Sequence, residues 1–263
     1  MPDTHEQGYL IEKEQLKALL ELINLADETV MEIYDSRSAI VEWKEDKTPL
    51  TQADMASHHI LIEGLPKIFP GIPIISEESD ENTNKETVQS DLFWLVDPID
   101  GTKEFIARTD EFTICVSLIK NGAPVFGIIS APALGITYYG GQNTGSYKIE
   151  QGKKPVQLQV SKELLGIIVG SKSSHEPATV AYIAEHYSKS KLIQIGSQLK
   201  MALIAEAKAD AFPRLDSPLH LWDLAAQHAV LEGAGGIVTR PDGSLIDYRD
   251  TTLMAGDFVG RSF

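Results

Sequence analysis

The apolar positions in the first part of the chain recur at helical spacings. Between residues 12 and 35, apolar side chains lie three or four positions apart, with charged residues between them: Leu16, Leu19, Leu20, Ile23, Val30 and Ile33. This pattern predicts one or two amphipathic helices. A further helix is predicted to start after Thr51 and to end near Pro66.

The pattern then changes to short apolar runs, which are typical of strands. The runs "IPIIS" (72–76) and "LFWLV" (92–96) predict two strands, and the polar, acidic residues 79–91 between them predict a surface loop. "FTICVSLIK" and "APVFGIIS" are joined by Asn121-Gly122, which predicts a β-hairpin because Asn-Gly readily adopts positive φ. Further strands are expected at "ITYYG" and "SYKIE".

Strands and helices alternate after a polar stretch at residues 150–162, which we interpret as a seam. "GIIVGS", "KLIQIG", "ADAFPR" and "GIVT" predict strands, and the helices are predicted at 176–187, 198–208 and roughly 222–234. We therefore expect two halves, 1–155 and 156–263, that form a single functional unit. Hairpins followed by βα alternation predict an α/β (α+β) fold of layered sheets and helices.

The composition narrows the class of protein. The 263 residues include 38 acidic and 23 basic ones, for a formal net charge of −15, and contain no Lys/Arg-rich run. A nucleic-acid polymer is therefore not an expected partner. No apolar run approaches the roughly 18 residues of a membrane span, and "MPDTHEQGYL" lacks the pattern of a signal peptide. With one cysteine and no possible intramolecular disulfide, we expect a cytoplasmic protein.

The stretch "FWLVDPIDGTKEF" (93–105) ends an apolar run on two carboxylates, Asp97 and Asp100. Pro98 suits the first position of a helix, so Asp97 is expected to be its N-cap. Gly101 would let the backbone approach a ligand closely, and the amides that follow it would face an anion. The same letters are also good turn chemistry, in which the two carboxylates have no further role.

Two carboxylates beside an anion site repel each other and the anion, and a divalent cation resolves that conflict. Mg²⁺ prefers oxygen ligands and commonly joins carboxylates to a phosphate. Other acids follow the same placement: Glu77 after a strand, and Asp54 and Asp223 at helix starts. Each alone is more readily explained as a helix cap or a solvated loop charge. Together they favour a multi-metal phosphate site.

Several ordered motifs resemble those of the inositol monophosphatase superfamily. They are Asp97-Pro98-Ile99-Asp100-Gly101-Thr102, Trp222-Asp223 with "AAQHAVLEGAGG", and Glu77-Glu78-Ser79 twenty residues before Asp97. "DGTKEF", "GSQLK", "FPRL" and "GSKSSH" are similar to the 3′(2′),5′-bisphosphate nucleotidase branch. The resemblance implies the sugar-phosphatase fold, with alternating α/β/α/β/α layers.

The resemblance also implies the metal ligands and the catalytic groups. Glu77, Asp97 and the carbonyl of Ile99 would hold a first Mg²⁺, and Asp97, Asp100 and Asp223 a second, with two or three ions in all. A metal-activated water would attack the phosphate, and Thr102 paired with Asp54 would take its proton, with Glu77 sharing that role. A plain hydroxyl at a helix start is the alternative for Thr102.

The second phosphate of a nucleotide needs its own contacts. By resemblance these are Ser197 and Lys200 in "GSQLK", Arg214 in "FPRL" and His175. Gly101, Thr102, Lys103 and Asp223 are also expected to bind the substrate. A solvated lysine, a salt-bridged arginine and a surface histidine are the alternatives for Lys200, Arg214 and His175.

The resemblance therefore implies a Mg²⁺-dependent phosphatase that releases the 3′-phosphate of adenosine 3′,5′-bisphosphate. Inhibition by Li⁺ and a role in recycling the by-product of sulfate assimilation are implied with it. One alternative is activity on inositol monophosphate or fructose 1,6-bisphosphate at the same metal site. Another is a non-catalytic sensor that binds nucleotide and metal, which the intact acidic set argues against.

Overall fold

A computed structural model describes residues 11–36, 41–43, 49–172, 176–216 and 218–263, and only the backbone at 41–43 and 49. The helices are α1 (Lys13–Ser36), α2 (Gln52–Ile68), α3 (Glu81–Thr87), α4 (Thr102–Ala107), α5 (Pro177–His186), α6 (Leu199–Ala205) and α7 (Trp222–Gly233). The strands are β1 (Val41–Trp43), β2 (Pro49–Thr51), β3 (Ile74–Ser76), β4 (Leu92–Asp100), β5 (Thr113–Lys120), β6 (Ala123–Ala131), β7 (Ile136–Gly141), β8 (Gly145–Glu150), β9 (Val156–Gln157), β10 (Ile167–Ser171), β11 (Lys191–Ile195), β12 (Ala211–Arg214), β13 (Ile237–Thr239) and β14 (Phe258–Arg261).

Most strands of the described chain form two sheets. The first has the order β3-β4-β5-β6-β7-β8-β9 and is antiparallel except between β3 and β4. The second has the order β11-β10-β12-β14-β13, parallel on both sides of β10 and antiparallel on both sides of β14. The predicted hairpin joins β5 to β6, and Asn121 and Gly122 have φ of 51° and 79°.

Helices separate and cover the two sheets. Helices α1 and α2 pack on one face of the first sheet, α6 and α7 lie between the sheets, and α5 packs against β12. Along β4, Trp94 and Val96 belong to the core beneath α1 and α2, while Phe93 and Leu95 belong to the core around α6 and α7. Since both faces of β4 are covered, its sequence is a continuous apolar run. The predicted layered α/β fold is confirmed.

The expected helix start at Pro98 is wrong. The strand β4 continues through Pro98 to Asp100, and α4 begins only at Thr102, with Gly101 as its N-cap. Asp97 is therefore a strand residue and not an N-cap. Proline is tolerated here because the pairing of β4 with β5 is interrupted between Asp97 and Asp100, so no sheet hydrogen bond needs the missing N–H.

Other differences concern short elements. The segment 79–91 contains α3, which Asp80 caps by accepting from the Thr83 amide at 3.0 Å. The polar seam contains β9, which adds an edge strand to the first sheet. The division into halves at residue 155 stays a prediction. Among the described residues no helix combines the length and apolar character needed to cross a membrane.

Candidate active site

A bulge in β4 brings two carboxylates to the same side of the sheet. Asp97 pairs with Cys115 and Asp100 pairs with Thr113, so three residue steps on β4 face two steps on β5. Side chains alternate along a regular strand, so residues three apart would point to opposite faces. The extra residue in the bulge removes that difference. Asp97 and Asp100 can therefore serve one site.

Gly101 makes the turn from β4 into α4. It has φ of 90°, a region that favours glycine, and it caps α4 without a side chain. A Cβ at this position would lie 3.2 Å from the Glu111 carbonyl oxygen and 3.3 Å from the Ser197 Cβ. The turn needs glycine for both its conformation and its close packing.

Asp223 completes a cluster of three acids. It is the second residue of α7, and one of its carboxylate oxygens accepts from the His220 amide at 2.7 Å. One oxygen each from Asp97, Asp100 and Asp223 lies within 4.8 Å of the others. Burial raises the pKa of Asp100 to about 7, although Lys200 lowers it. The pKa values of Asp97 and Asp223 are also raised, by burial first and by the neighbouring acids second.

The donor set fits a divalent cation. Asp97 is 1% exposed, and neither of its carboxylate oxygens has a hydrogen-bond partner among the described residues. Buried polar atoms are nearly always partnered, and a carboxylate without a partner is costly to bury. Three carboxylates that repel one another and converge on one point are an oxygen site of the kind that Mg²⁺ takes.

Glu77 and the Ile99 carbonyl lie beside this cluster. The Glu77 amide donates to the Val96 carbonyl at 3.1 Å, which fixes the end of β3 next to β4. The charge of Glu77 raises the pKa of Asp97. Its carboxylate does not belong to the tight group of three acids. The Ile99 carbonyl oxygen lies 3.3 Å from the Thr102 hydroxyl oxygen.

Asp54 and Thr102, the pair predicted to accept the proton of the water, lie in contact. Asp54 closes a capping box at the start of α2, because one of its oxygens accepts from both the amide (2.8 Å) and the hydroxyl (2.6 Å) of Thr51. Its other oxygen accepts from the Thr102 hydroxyl at 3.3 Å. Asp54 is 2% exposed. A buried carboxylate thus stands behind the hydroxyl, as the chemistry of a proton acceptor requires.

A pocket next to the acidic cluster contains buried cations. Its lining combines two of the acids with basic and polar groups: Asp100, Ser171, Ser197, Lys200, Phe212, Arg214, Leu219, Asp223 and Gln227. Lys200 and Arg214 are 8% and 5% exposed. Burial lowers the pKa of Lys200, and the charge of Asp100 opposes this effect. The Ser197 hydroxyl is buried and has no hydrogen-bond partner among the described residues.

Three predicted substrate contacts that the structure describes, Gly101, Thr102 and Lys103, are not among the residues that line this pocket. Lys103 lies on the exposed side of α4 and is not among the lining residues. His175 falls outside the described residues, so its predicted role is not addressed. Gly101 and Thr102 lie at the turn that leads from the acidic cluster into α4.

The sequence analysis missed several residues that hold the pocket together. Glu176 binds the Arg214 guanidinium through both carboxylate oxygens, at 3.0 and 3.2 Å. Glu111 accepts from the Gly196 amide at 2.7 Å and pairs with Lys172 at 2.6 Å. Gln198 donates to the Trp222 carbonyl at 2.9 Å, which ties the start of α6 to α7. Nothing in the local pattern distinguishes these residues from surface polar groups.

Comparison with known proteins identifies the family of the chain. The inositol monophosphatase family model matches residues 12–262. The Salmonella typhimurium 3′(2′),5′-bisphosphate nucleotidase CysQ is 36% identical over 244 residues, covering 92% of this chain and 97% of that protein. The Buchnera aphidicola protein of the same name is 37% identical over 253 residues, covering 95% and 93%.

Solved structures give the same result. The crystal structure of CysQ from Bacteroides thetaiotaomicron, a bacterial member of the inositol monophosphatase family, matches with a TM-score of 0.79 and 31% identity, covering 95% of this chain and 99% of that chain. An IMPase from Thermotoga maritima has a TM-score of 0.75 at 23% identity and covers 95% and 92%, which supports the fold. The chain belongs to the inositol monophosphatase family.

Proposed function

We propose that the protein is a Mg²⁺-dependent phosphomonoesterase that hydrolyses adenosine 3′,5′-bisphosphate to AMP and phosphate. The chain is an enzyme of the 3′(2′),5′-bisphosphate nucleotidase type, because relatives with that name match more than nine tenths of both chains. The choice of the 3′-phosphate, the metal and the mechanism are the further steps that we propose.

The observation that carries the proposal is the shared pocket. Asp100 and Asp223 of the acidic cluster line the same cavity as the buried cations Lys200 and Arg214. A substrate with one phosphate needs only the acidic cluster and its cation. Two buried basic side chains beside it suit a substrate with a second anionic group. The acidic net charge of the chain makes such local attraction necessary.

The acidic cluster would hold the metal. Asp97, Asp100, Asp223, Glu77 and the Ile99 carbonyl are the proposed ligands of two or three Mg²⁺ ions. When bound there, Mg²⁺ supplies neutralisation of phosphate charge and activation of the attacking water. Competition by Li⁺ for this site is expected from the family.

The proton acceptor is the pair Thr102–Asp54. Since the Thr102 hydroxyl donates to Asp54, its oxygen keeps lone pairs that can accept a hydrogen bond from a water. As that water attacks, its proton can pass to Thr102 while the hydroxyl proton passes to Asp54. The capping box holds Asp54 in place for this transfer. Ser197, Lys200 and Arg214 bind the 5′-phosphate, and Gly101 keeps the backbone close to the phosphate that is cleaved.

The test is phosphate release from adenosine 3′,5′-bisphosphate, inositol 1-phosphate and fructose 1,6-bisphosphate in parallel. Each is assayed with Mg²⁺, with EDTA, and with Mg²⁺ plus Li⁺. Metal-dependent, Li⁺-sensitive release that is fastest from the nucleotide supports the proposal. Faster release from an inositol or sugar phosphate would keep the metal site and overturn the substrate. No release by folded protein that binds Mg²⁺ would favour the sensor.

A further inference from the structure

We infer that Glu111 is a positioning residue that sets the affinity for the second phosphate by holding Ser197. The inference rests on the proposed function, in which Ser197 contacts that phosphate. Glu111 lies in the connection between α4 and β5, and its side chain is 19% exposed. It does not line the pocket, so it acts on the substrate through other residues.

The Glu111 carboxylate joins two segments that border the pocket. One oxygen accepts from the Gly196 amide at 2.7 Å, immediately before Ser197. The other oxygen pairs with Lys172 at 2.6 Å, immediately after the lining residue Ser171. Hydrogen bonds to a carboxylate are stronger than those between neutral groups. The charge of Glu111 is therefore well placed to fix both segments.

The packing around Gly196 leaves little freedom for movement. A Cβ there would lie 2.8 Å from the Glu104 Cγ, 2.9 Å from the Glu111 carbonyl oxygen and 3.0 Å from the Glu111 Cβ. The backbone of Gly196 thus rests directly on Glu111. Ser197 follows with φ of 48°, which is an unfavourable conformation for a residue with a side chain. Such a conformation persists only where the surroundings hold it.

The conformation of Ser197 places its hydroxyl in the pocket. This hydroxyl is buried and has no hydrogen-bond partner among the described residues. Gln198, the next residue, is fixed independently by its bonds to the Trp222 carbonyl and the Gln227 amide. Loss of the Glu111 contact would therefore act on Gly196 and Ser197, while the start of α6 stays in place.

The test is a double-mutant cycle with Glu111→Ala and Ser197→Ala. We measure KM and kcat for adenosine 3′,5′-bisphosphate and for adenosine 3′-monophosphate, which lacks the second phosphate. Calorimetry with AMP reports binding of the 5′-phosphate without turnover. Each single change should raise KM for adenosine 3′,5′-bisphosphate and the dissociation constant of AMP about tenfold. This is the effect of one lost charge-assisted contact. The double variant should be no worse than the weaker single variant.

Two further variants separate the contacts of Glu111. Glu111→Gln keeps an acceptor for the Gly196 amide and loses the ion pair, so it should retain most of the affinity. Lys172→Met removes the same ion pair and should match Glu111→Gln. Glu150→Ala removes a carboxylate that pairs with Lys153 and Lys148, outside the pocket, and serves as the control. Kinetics with adenosine 3′-monophosphate should stay near those of the wild type in Glu111→Ala, Glu111→Gln, Lys172→Met and Glu150→Ala.

Several results would overturn the inference. Additive losses in the double variant would mean that Glu111 does not act through Ser197. Equal losses on both substrates would indicate a general structural role. Wild-type protein that binds no AMP would also overturn it. Wild-type protein that binds AMP but releases no phosphate from the bisphosphate would overturn the proposed function instead, and the AMP affinities of the variants would still test Glu111.

Discussion

The hydroxyl of Thr102, at the start of α4, donates to the carboxylate of Asp54, at the start of α2, across 3.3 Å. The two residues are 48 positions apart in sequence. The same hydroxyl also lies 3.3 Å from the Ile99 carbonyl, a proposed metal ligand. One hydroxyl thus lies between Asp54, the proposed final proton acceptor, and the proposed metal site.

Replacing Thr102 with Val should remove the proton path with little change in shape. We expect kcat on adenosine 3′,5′-bisphosphate to fall about a hundredfold or more, the usual contribution of a general base. Thr102→Ser, which keeps the hydroxyl, should recover most of the rate. Steady-state kinetics of the two variants, with circular dichroism to check folding, measure the effect. Equal losses in both variants would contradict the role of the hydroxyl.

Asp97→Asn should abolish the increase in melting temperature that Mg²⁺ causes. In the wild type, Mg²⁺ should raise the melting temperature relative to EDTA, since a ligand that binds only the native state stabilises it. In EDTA the variant should melt a few degrees higher than the wild type, because it relieves repulsion among buried carboxylates. Its response to Mg²⁺ and its activity should be lost. Asp91→Asn, at an exposed position, is the control in thermal melts. A variant that still responds fully to Mg²⁺ would argue against Asp97 as a ligand.

Lys200→Met should discriminate between substrates. Lys200 is proposed to contact the 5′-phosphate, so removing this buried cation should raise KM for adenosine 3′,5′-bisphosphate about ten- to a hundredfold. KM for adenosine 3′-monophosphate should change far less. Lys208→Met is the matched control, because Lys208 is exposed and pairs with Glu206 outside the pocket. Equal losses on both substrates would contradict the assigned role of Lys200.

Gly101→Ala should lower the free energy of unfolding more than Gly71→Ala does. Both glycines have positive φ, of 90° and 80°. At Gly71 a Cβ would meet nothing within 4 Å, so only backbone strain of about 1 kcal/mol is expected. At Gly101 the Cβ would press on Glu111 and Ser197. Urea unfolding compares the free energies of unfolding, and kcat reports displacement of Thr102. Equal costs at the two positions would mean that the close packing has no influence.

Asp27, on α1, should make stability depend on pH. Burial raises its pKa from 3.8 to about 7, and a hydrogen bond from Ser130 at 2.6 Å opposes this only in part. The folded state then holds the proton between these pH values while the unfolded state releases it. The contribution of Asp27 therefore falls as pH rises from about 4 to 7 and stays constant above that range.

Asp27→Asn should remove this dependence. The difference in melting temperature between variant and wild type should grow from pH 4 to 7, with a free-energy change of at most about 4 kcal/mol. Glu32→Gln, at an exposed position on the same helix, should show no such trend. Thermal melts across the pH range measure it. If the difference in melting temperature between Asp27→Asn and the wild type were the same at every pH, the raised pKa of Asp27 would be contradicted.

The sequence by itself determined the helices and strands that have a strong local signal. It also determined where the acidic residues lie relative to the predicted strands and helices. The apolar spacing from Leu16 to Ile33 predicted α1, and Asn121-Gly122 predicted the β5–β6 hairpin, because both signals are local. The motif from Asp97 to Thr102 pointed to a metal site only together with Glu77, Asp54 and Asp223, because the motif alone is also good turn chemistry.

Only the tertiary structure decided how these residues meet. The bulge that turns Asp97 and Asp100 to one side depends on pairing with β5, and no local preference predicts it. The contact of Thr102 with Asp54 and that of Glu111 with Gly196 join residues 48 and 85 positions apart. Such contacts follow from how the sheets and helices pack, because the polar side chains involved have no periodic pattern of their own.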